Sequence, residues 1–207
     1  MDLKQRILQE TSQLLFTVGL SSTTMDMVAR SCGISKRTLY EQFSDKRTLV
    51  EECLKAGYKK SGEDFKAIIE ASDNCFDALF RALTYVRNKL QEVPLTFYSD
   101  LKRLYPDLHN SLQKECDHKR VSALTAMLGS GQKEGLVEEH VNTHVAAFLF
   151  FSLIEQLHNN KRIAEYGISQ IEVFDCAFVT FLRGVASAKG QQLIERYLPK
   201  YNKQHNI

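Results

Sequence analysis

The sequence has few residues that interrupt helices and few patterns that indicate a sheet. Only three of its 207 residues are proline, and few segments show the strict polar–apolar alternation that is typical of strands. A 43% hydrophobic and 25% charged composition is ordinary for a globular protein. The chain is therefore expected to be all-α, with long helices around a buried core.

Cysteine pairs and catalytic motifs are also missing. The five cysteines are odd in number, widely scattered and form no C-x-x-C pair, which disfavours a disulfide framework and a zinc ribbon. Reduced thiols, and with them a cytoplasmic location, are expected. Because the sequence has no glycine-rich phosphate loop and no recognised nucleophile setting, we expect neither enzymatic activity nor a cofactor.

Long apolar runs and a strong net charge are absent as well. Polar and charged residues interrupt the first ten positions, so no signal segment is predicted, and no apolar run reaches the ~20 residues needed to cross a membrane. The formal net charge is +2, but Met1–Lys60 holds ten Lys and Arg against seven Asp and Glu. That small excess is compatible with a nucleic-acid-facing amino end.

One stretch near the amino end is typical of a helix-turn-helix. Met25–Arg30 has apolar residues at helical spacing, and the hydroxyl of Thr24 can cap this short helix. Gly33 stands where the chain must turn sharply, because glycine adopts positive φ without steric cost. Ser35 can cap a second helix, Lys36–Phe43. In such a motif the second helix presents hydrogen-bond donors to a DNA groove.

The run from Ile7 to Val50, roughly a quarter of the chain, resembles the N-terminal domain of the TetR family of bacterial regulators. Arg37 departs from the family pattern, in which glycine is frequent at that place. It adds a charge on the DNA-facing helix, so the base preference of other members does not carry over. The residues that carry the resemblance are Leu15, Phe16, Gly19, Thr24, Val28, Ala29, Gly33, Ile34, Ser35, Thr38, Leu39, Tyr40, Phe43, Lys46 and Leu49.

The resemblance implies binding to double-stranded operator DNA. Lysine and arginine can grip guanine edges and threonine can touch a thymine methyl, so Lys36, Arg37 and Thr38 are assigned mainly to base edges. Contacts with phosphates fix the register of a protein on the duplex without reading sequence. The residues assigned mainly to phosphates are Thr24, Ser35, Tyr40 and Lys46.

About nine to ten helices are expected in two domains, a DNA-binding domain over residues 1–50 and an effector-binding and dimerisation domain over 51–207. The first domain is expected to contain three helices, and a further helix is expected to begin near Ser44 and to end around Ala71, with a break near Gly57–Gly62. A later helix is expected to start at Pro106 and to end at Gly129–Gly131. The last one is predicted over Gln191–Tyr201, with fraying beyond it.

Two apolar helices are candidates for a dimer interface. Val145–Ile154 is nearly unbroken apolar sequence, and a helix that is apolar all round must be covered on more than one side. The following helix opens at Ser169, and Gly184 and the small residues after it would let another helix approach closely. TetR-like proteins usually dimerise through two C-terminal helices, so the resemblance also implies a homodimer; a monomeric core is the alternative.

The resemblance further implies a pocket among the central helices that takes a small apolar or aromatic ligand. The expected function is then a repressor that a small molecule releases from DNA. The alternative is a DNA-binding protein that a protein partner regulates without any small-molecule inducer. The side chains predicted to line the pocket, each of which has a structural role in the core as its alternative, are Phe80, Thr84, Phe97, Tyr98, Tyr105, His109, Phe148, Phe151 and Phe178.

Two pairs of residues have spacings that could suit metal ligands. His140 and His144 have the i, i+4 spacing that suits a metal on one helix face, and Cys116 stands two residues before His118. The first pair has no nearby cysteine and no clear carboxylate triad, and the second pair is equally incomplete. No metal site is therefore predicted.

Overall fold

The computed structural model describes residues 2–158 and 165–205. Within those residues the secondary structure is helical apart from turns and one isolated antiparallel bridge between Val137 and Ala186, which confirms the all-α expectation. The helices are α1 Leu3–Thr17, α2 Met25–Ser31, α3 Lys36–Gln42, α4 Lys46–Glu70, α5 Cys75–Glu92, α6 Leu95–Leu104, α7 Pro106–Lys133, α8 Thr143–His158, α9 Gln170–Val185 and α10 Ala188–His205.

The chain divides into two compact units. The first, here called the head unit, comprises Met1–Asp64 and Gln91–Lys114; the second, the body unit, comprises Phe65–Leu90 and Glu115–Ile207. The division of the chain at residue 50 into two functional domains stays a prediction. The head unit is larger than that predicted domain, because it includes more of α4, all of α6 and the start of α7.

The core of the head unit explains why α6 belongs to it. Leu101 of α6 is buried in the same apolar cluster as Leu15 of α1 and Leu39 of α3. The ring of Phe97 packs edge-on against Phe16, with centroids 5.2 Å apart. Burying apolar side chains of this size stabilises a fold by about 1.5–3 kcal/mol each. The segment 91–114 is therefore held to the helix-turn-helix by ordinary core packing.

The body unit has a separate core around α5, α7, α8, α9 and α10. Leu83, Leu128, Leu182 and Ile194 are fully buried in it. Helix α9 starts with a capping box, because the Ser169 hydroxyl accepts the backbone N–H of residue 172 and the side chain of that residue accepts the N–H of Ser169. The predicted start of this helix at Ser169 is confirmed.

Three predicted helix boundaries are wrong. Helix α4 runs unbroken past Gly57 and Gly62, and α7 continues through Gly129 and Gly131 to Lys133. Helix α10 begins at Ala188 and continues to His205, so residues 202–205 are helical, whereas the last two residues lie outside the described part. A glycine in a helix costs only about 1 kcal/mol relative to alanine, which tertiary packing easily offsets.

Glycine is required in α7 at one position. A β-carbon on Gly131 would lie 2.6 Å from Sγ of Cys75 and 2.6 Å from Cγ2 of Val137. Both neighbours are buried, so neither has room to move away. The glycine that looked like a helix stop is therefore a close-packing residue of the body core.

Within the described residues, no helix is both long and apolar enough to span a membrane.

Candidate functional site

The helix-turn-helix is built from local hydrogen bonds that its sequence predicts. The Thr24 hydroxyl accepts the N–H of Met27 at 3.3 Å, and the Ser35 hydroxyl accepts the N–H of Thr38 at 3.0 Å. Gly33 has a φ of +62° between the two helices, in the left-handed region that glycine enters without steric cost. Both predicted caps and the predicted turn are confirmed.

Helix α3 presents its cations to solvent. Leu39 is fully buried, while Lys36, Arg37 and Tyr40 are exposed, and the Arg37 side chain keeps 90% of its accessible area. Lys36 Nζ lies 2.5 Å from Asp26 Oδ1, and Arg37 Nε lies 3.0 Å from Glu41 Oε1. Exposed pairs of this kind contribute at most about 1 kcal/mol. The two cations can therefore exchange these partners for a polyanion at little cost.

The serine and threonine hydroxyls that are predicted to contact DNA already form hydrogen bonds within the motif. Ser35 Oγ and Thr38 Oγ1 are 2.8 Å apart, and Thr38 is half-buried. Thr24 and Ser35 are exposed, so each capping hydroxyl remains within reach of solvent. Thr38 is less accessible than Lys36 and Arg37, so the structure favours these two cations as the more accessible base-edge candidates. The individual DNA contacts stay predictions.

Lys46 sits differently from the other predicted DNA contacts. Its Nζ donates to the carbonyl oxygen of Leu20 at 2.6 Å and lies 3.4 Å from that of Ser21. Burial lowers the pKa of the Lys46 ammonium, and the negative charge of Asp100 opposes that change. The ammonium therefore links the start of α4 to the turn after α1 through hydrogen bonds. The contact of Lys46 with a DNA phosphate stays a prediction.

Lys46→Ala is expected to lower the free energy of unfolding by about 1–2 kcal/mol, because it removes a charged donor from two backbone carbonyls. The measurement is urea unfolding followed by circular dichroism, with Lys59→Ala, an exposed lysine of the same helix, as the control. If Lys46 also contacts phosphate, the slope of log affinity against log salt becomes shallower for every DNA sequence. An unchanged stability would contradict the structural role, and an unchanged slope would remove Lys46 from the DNA contacts.

Comparison with known proteins agrees with this geometry. The family model for bacterial regulatory proteins of the tetR family matches residues 7–53, the segment from α1 to the first turns of α4. The chain has a TetR-family helix-turn-helix domain. It is similar to the biofilm operon negative transcriptional regulator IcaR of Staphylococcus aureus, at 27% identity over 124 residues, 55% of this chain and 67% of that protein.

Solved structures extend the similarity of fold beyond the TetR-type domain. A transcriptional regulator from Cytophaga hutchinsonii matches with a TM-score of 0.71 at 18% identity, over 88% of this chain and 98% of that one. A regulator from Saccharomonospora viridis, solved in complex with choline, matches with a TM-score of 0.70 at 17% identity, over 89% and 97%. Over most of its length the chain thus shares the all-helical architecture of these two solved structures, while the match to the tetR family model covers residues 7–53.

A polar anchor that the sequence analysis did not single out holds α6 to the TetR-type domain. The Ser21 hydroxyl donates to Asp100 Oδ2 at 3.0 Å, and Arg103 Nη2 donates to Asp100 Oδ1 at 2.7 Å and to Ser21 Oγ at 2.9 Å. The Arg103 and Ser21 hydrogen bonds lower the pKa of the Asp100 carboxyl. The apolar spacing of Phe97 and Leu101, at i and i+4, is the signal that could have predicted a packed helix here.

The predicted ligand-lining residues are divided between the two units. Those in the head unit are Phe97, Tyr98, Tyr105 and His109, and those in the body unit are Phe80, Thr84, Phe148, Phe151 and Phe178. In the head unit Phe97 is core, packed edge-on against both Phe16 and Tyr98. In the body unit Phe80 packs against Phe178, with ring centroids 6.3 Å apart, whereas Phe148 is 57% exposed. The assignment of these side chains to one pocket stays a prediction.

His140 and the two buried cysteines Cys53 and Cys75 have ordinary surroundings. His140 Nδ1 lies 3.8 Å from Glu138 Oε2 on the surface. Among the described residues no group of three or more His, Cys, Asp and Glu side chains is placed to hold a metal ion. Burial raises the pKa of both Cys53 and Cys75 to about 12, so these two thiols stay protonated at neutral pH and are poor nucleophiles.

Proposed function

We propose that the protein is a homodimeric repressor that binds operator DNA through α3 and is released by a small apolar or aromatic molecule. The observation that carries this proposal is the capped TetR-type motif with Lys36 and Arg37 exposed on its second helix. The similarity to IcaR, a negative transcriptional regulator, supports the repressor role.

The exposed side of α8 supports the dimer. Val145, Phe148, Leu149 and Leu153 are all largely exposed and lie at helical spacing on one side of the helix. The opposite side is covered, because Phe150 packs against Phe178 and Phe181 of α9 with centroids 5.8 and 4.7 Å apart. A contiguous apolar surface of this kind marks an interaction site. A second copy of α8 and α9 is the occupant that the family architecture favours.

Selection of bound genomic fragments by the purified protein tests this function. We expect enrichment of a few sites, each with two related half-sites whose centres are about one helical turn, ~34 Å, apart, because two identical α3 helices must dock in successive major grooves. Enrichment independent of sequence would leave only charge-driven binding and would contradict the proposal.

The selected operator then allows the effector to be sought. A ligand that stabilises the protein against heat and also weakens operator binding must favour the state that does not hold DNA. A compound that meets both conditions supports release by a small molecule. Capture of one cellular protein that displaces the operator, with no active compound, would instead favour regulation by a protein partner.

A further inference from the structure

The body unit contains a buried charged network that the proposed DNA contacts do not use. Arg87 of α5 pairs through Nη1 with Asp175 Oδ2 of α9, and the Tyr201 hydroxyl of α10 donates to Asp175 Oδ1 at 2.6 Å. Arg87, Asp175 and Tyr201 are only 8%, 9% and 4% exposed. Three different helices thus place a guanidinium, a carboxylate and a phenol together in the interior.

A contribution to the stability of the fold does not account for this network. Removing two charges from water costs several kcal/mol per ion, and replacing a buried pair by apolar residues is often neutral or stabilising. Moreover, the Nε–H of Arg87 is buried and has no hydrogen-bond partner among the described residues. An unsatisfied buried donor of this kind destabilises the folded state. The Arg87 guanidinium therefore has one N–H donor, at Nε, that no described residue around it accepts.

The surroundings of the network are aromatic. The ring of Phe80 lies 6.3 Å from that of Phe178, 5.7 Å from that of Tyr197 and 6.1 Å from that of Tyr201, between centroids. Phe80 and Phe178 are two of the side chains that the sequence analysis assigned to a ligand pocket. An apolar lining with very few polar groups is the usual composition of a small-molecule site. Here the polar group with an unused hydrogen-bond donor is the Arg87 guanidinium, which is cationic.

We propose that the effector is a carboxylic acid with an apolar or aromatic body, and that its carboxylate binds Arg87 within the Phe80 aromatic cluster. This inference rests on the proposed release by a small molecule and names the chemical class of that molecule. A guanidinium presents parallel N–H donors that match a carboxylate, and such charge-assisted pairs are about twice as strong as neutral hydrogen bonds. Asp175, itself held by Tyr201, fixes the guanidinium through Nη1 and leaves the Nε side for the ligand.

Burial of all three residues predicts how the acid enters. The site is covered in the form described, so helices or side chains of the body unit must move before a ligand reaches Arg87. Binding of the acid therefore selects a rearranged body unit, as release by population shift requires. Arg87 lies four residues before Gln91, where the chain passes into the segment that packs on the helix-turn-helix core.

Matched acids and amides test the proposal on the full-length protein. The probes are phenylacetate and decanoate, their two neutral amides, and choline as a probe of opposite charge, each titrated by calorimetry and by thermal shift. We expect at least one acid to bind about tenfold or more tightly than its amide, a difference of about 1.4 kcal/mol. Arg87→Met is expected to abolish that preference. Arg183→Met, which removes an exposed arginine of α9, is the control that keeps it.

The comparison of acid with amide needs no variant, so it stands even if Arg87→Met does not fold. Equal binding of acids and amides, or no binding of either, overturns the proposal. Preference for choline also overturns it and would make Asp175 the anchor instead. None of these outcomes affects operator selection, so the DNA-binding function is judged separately. Conversely, a protein that binds the acids but selects no operator contradicts the proposed repressor and leaves the acid site standing.

Discussion

Replacing Lys36 and Arg37 together by alanine is expected to weaken binding to the selected operator by at least about a hundredfold. Both side chains are exposed on α3, and their present partners are exposed carboxylates that contribute little. A good contact from such a cation to a base edge is worth about 1–3 kcal/mol, and the proposed dimer makes each contact twice. Fluorescence anisotropy with labelled operator at fixed salt concentration measures the loss.

The matched control replaces Arg196 and Lys200, two exposed cations of α10 in the body unit, and lowers the net charge equally. We expect this control to bind the operator nearly as well as the unmodified protein. A scrambled duplex separates the two kinds of contact, because loss of base reading lowers affinity only for the operator, whereas loss of a phosphate contact lowers affinity for both. Equal losses in the two double variants would show that net charge alone, and not α3, binds the DNA.

The helix-turn-helix could be predicted because its determinants are local. Thr24, Gly33 and Ser35 act within three or four residues of their own positions, through a cap, a turn and a second cap. The side-chain periodicity of the short helices then fixes which residues are buried. A signal contained in about twenty consecutive residues does not depend on knowing the rest of the fold.

Residues whose roles depend on distant partners were assigned less well. Gly131 looked like the end of a helix, but Cys75 and Val137 explain why glycine is needed inside α7. The assignment of Lys46 to phosphate stays a prediction, but its hydrogen bond to the carbonyl of Leu20, 26 residues away in the chain, was not foreseen. In both cases the deciding neighbour lies elsewhere in the chain, so the local sequence pattern could not show it.

The buried network of the body unit also depends on residues that are far apart in the sequence. Arg87 and Asp175 are 88 positions apart, so no local pattern joins them. One signal was present, because Arg87 continues the buried stripe of Phe76, Phe80 and Leu83 on α5 at helical spacing. A charged residue on an otherwise apolar face needs a buried partner or a ligand. The sequence therefore shows that Arg87 needs a partner, but it does not show that the partner is Asp175.

Leu149→Asp is expected to convert the proposed dimer into a monomer at micromolar concentration. Leu149 is 59% exposed on α8, so the substitution leaves the core of a single chain intact. In the dimer it would bury a charge where a large apolar side chain contributes about 1.5–3 kcal/mol on full burial, and it would do so in both copies. Sedimentation velocity measures the change, and operator affinity should fall with it, because a monomer engages one half-site.

The position of the substitution decides how clearly the result can be read. Phe181, on the apolar stripe of α9, packs against Phe150 with centroids 4.7 Å apart, so a charge there would disturb the body core as well as any interface. Ile69→Asp, at an exposed apolar position on α4 within the body unit, is the matched control and should leave the dimer intact.

Cys176 gives a second readout, because this exposed thiol of α9 should be labelled more slowly in the dimer than in the Leu149→Asp monomer. An intact Leu149→Asp dimer with unchanged Cys176 labelling would exclude α8 and α9 as the interface.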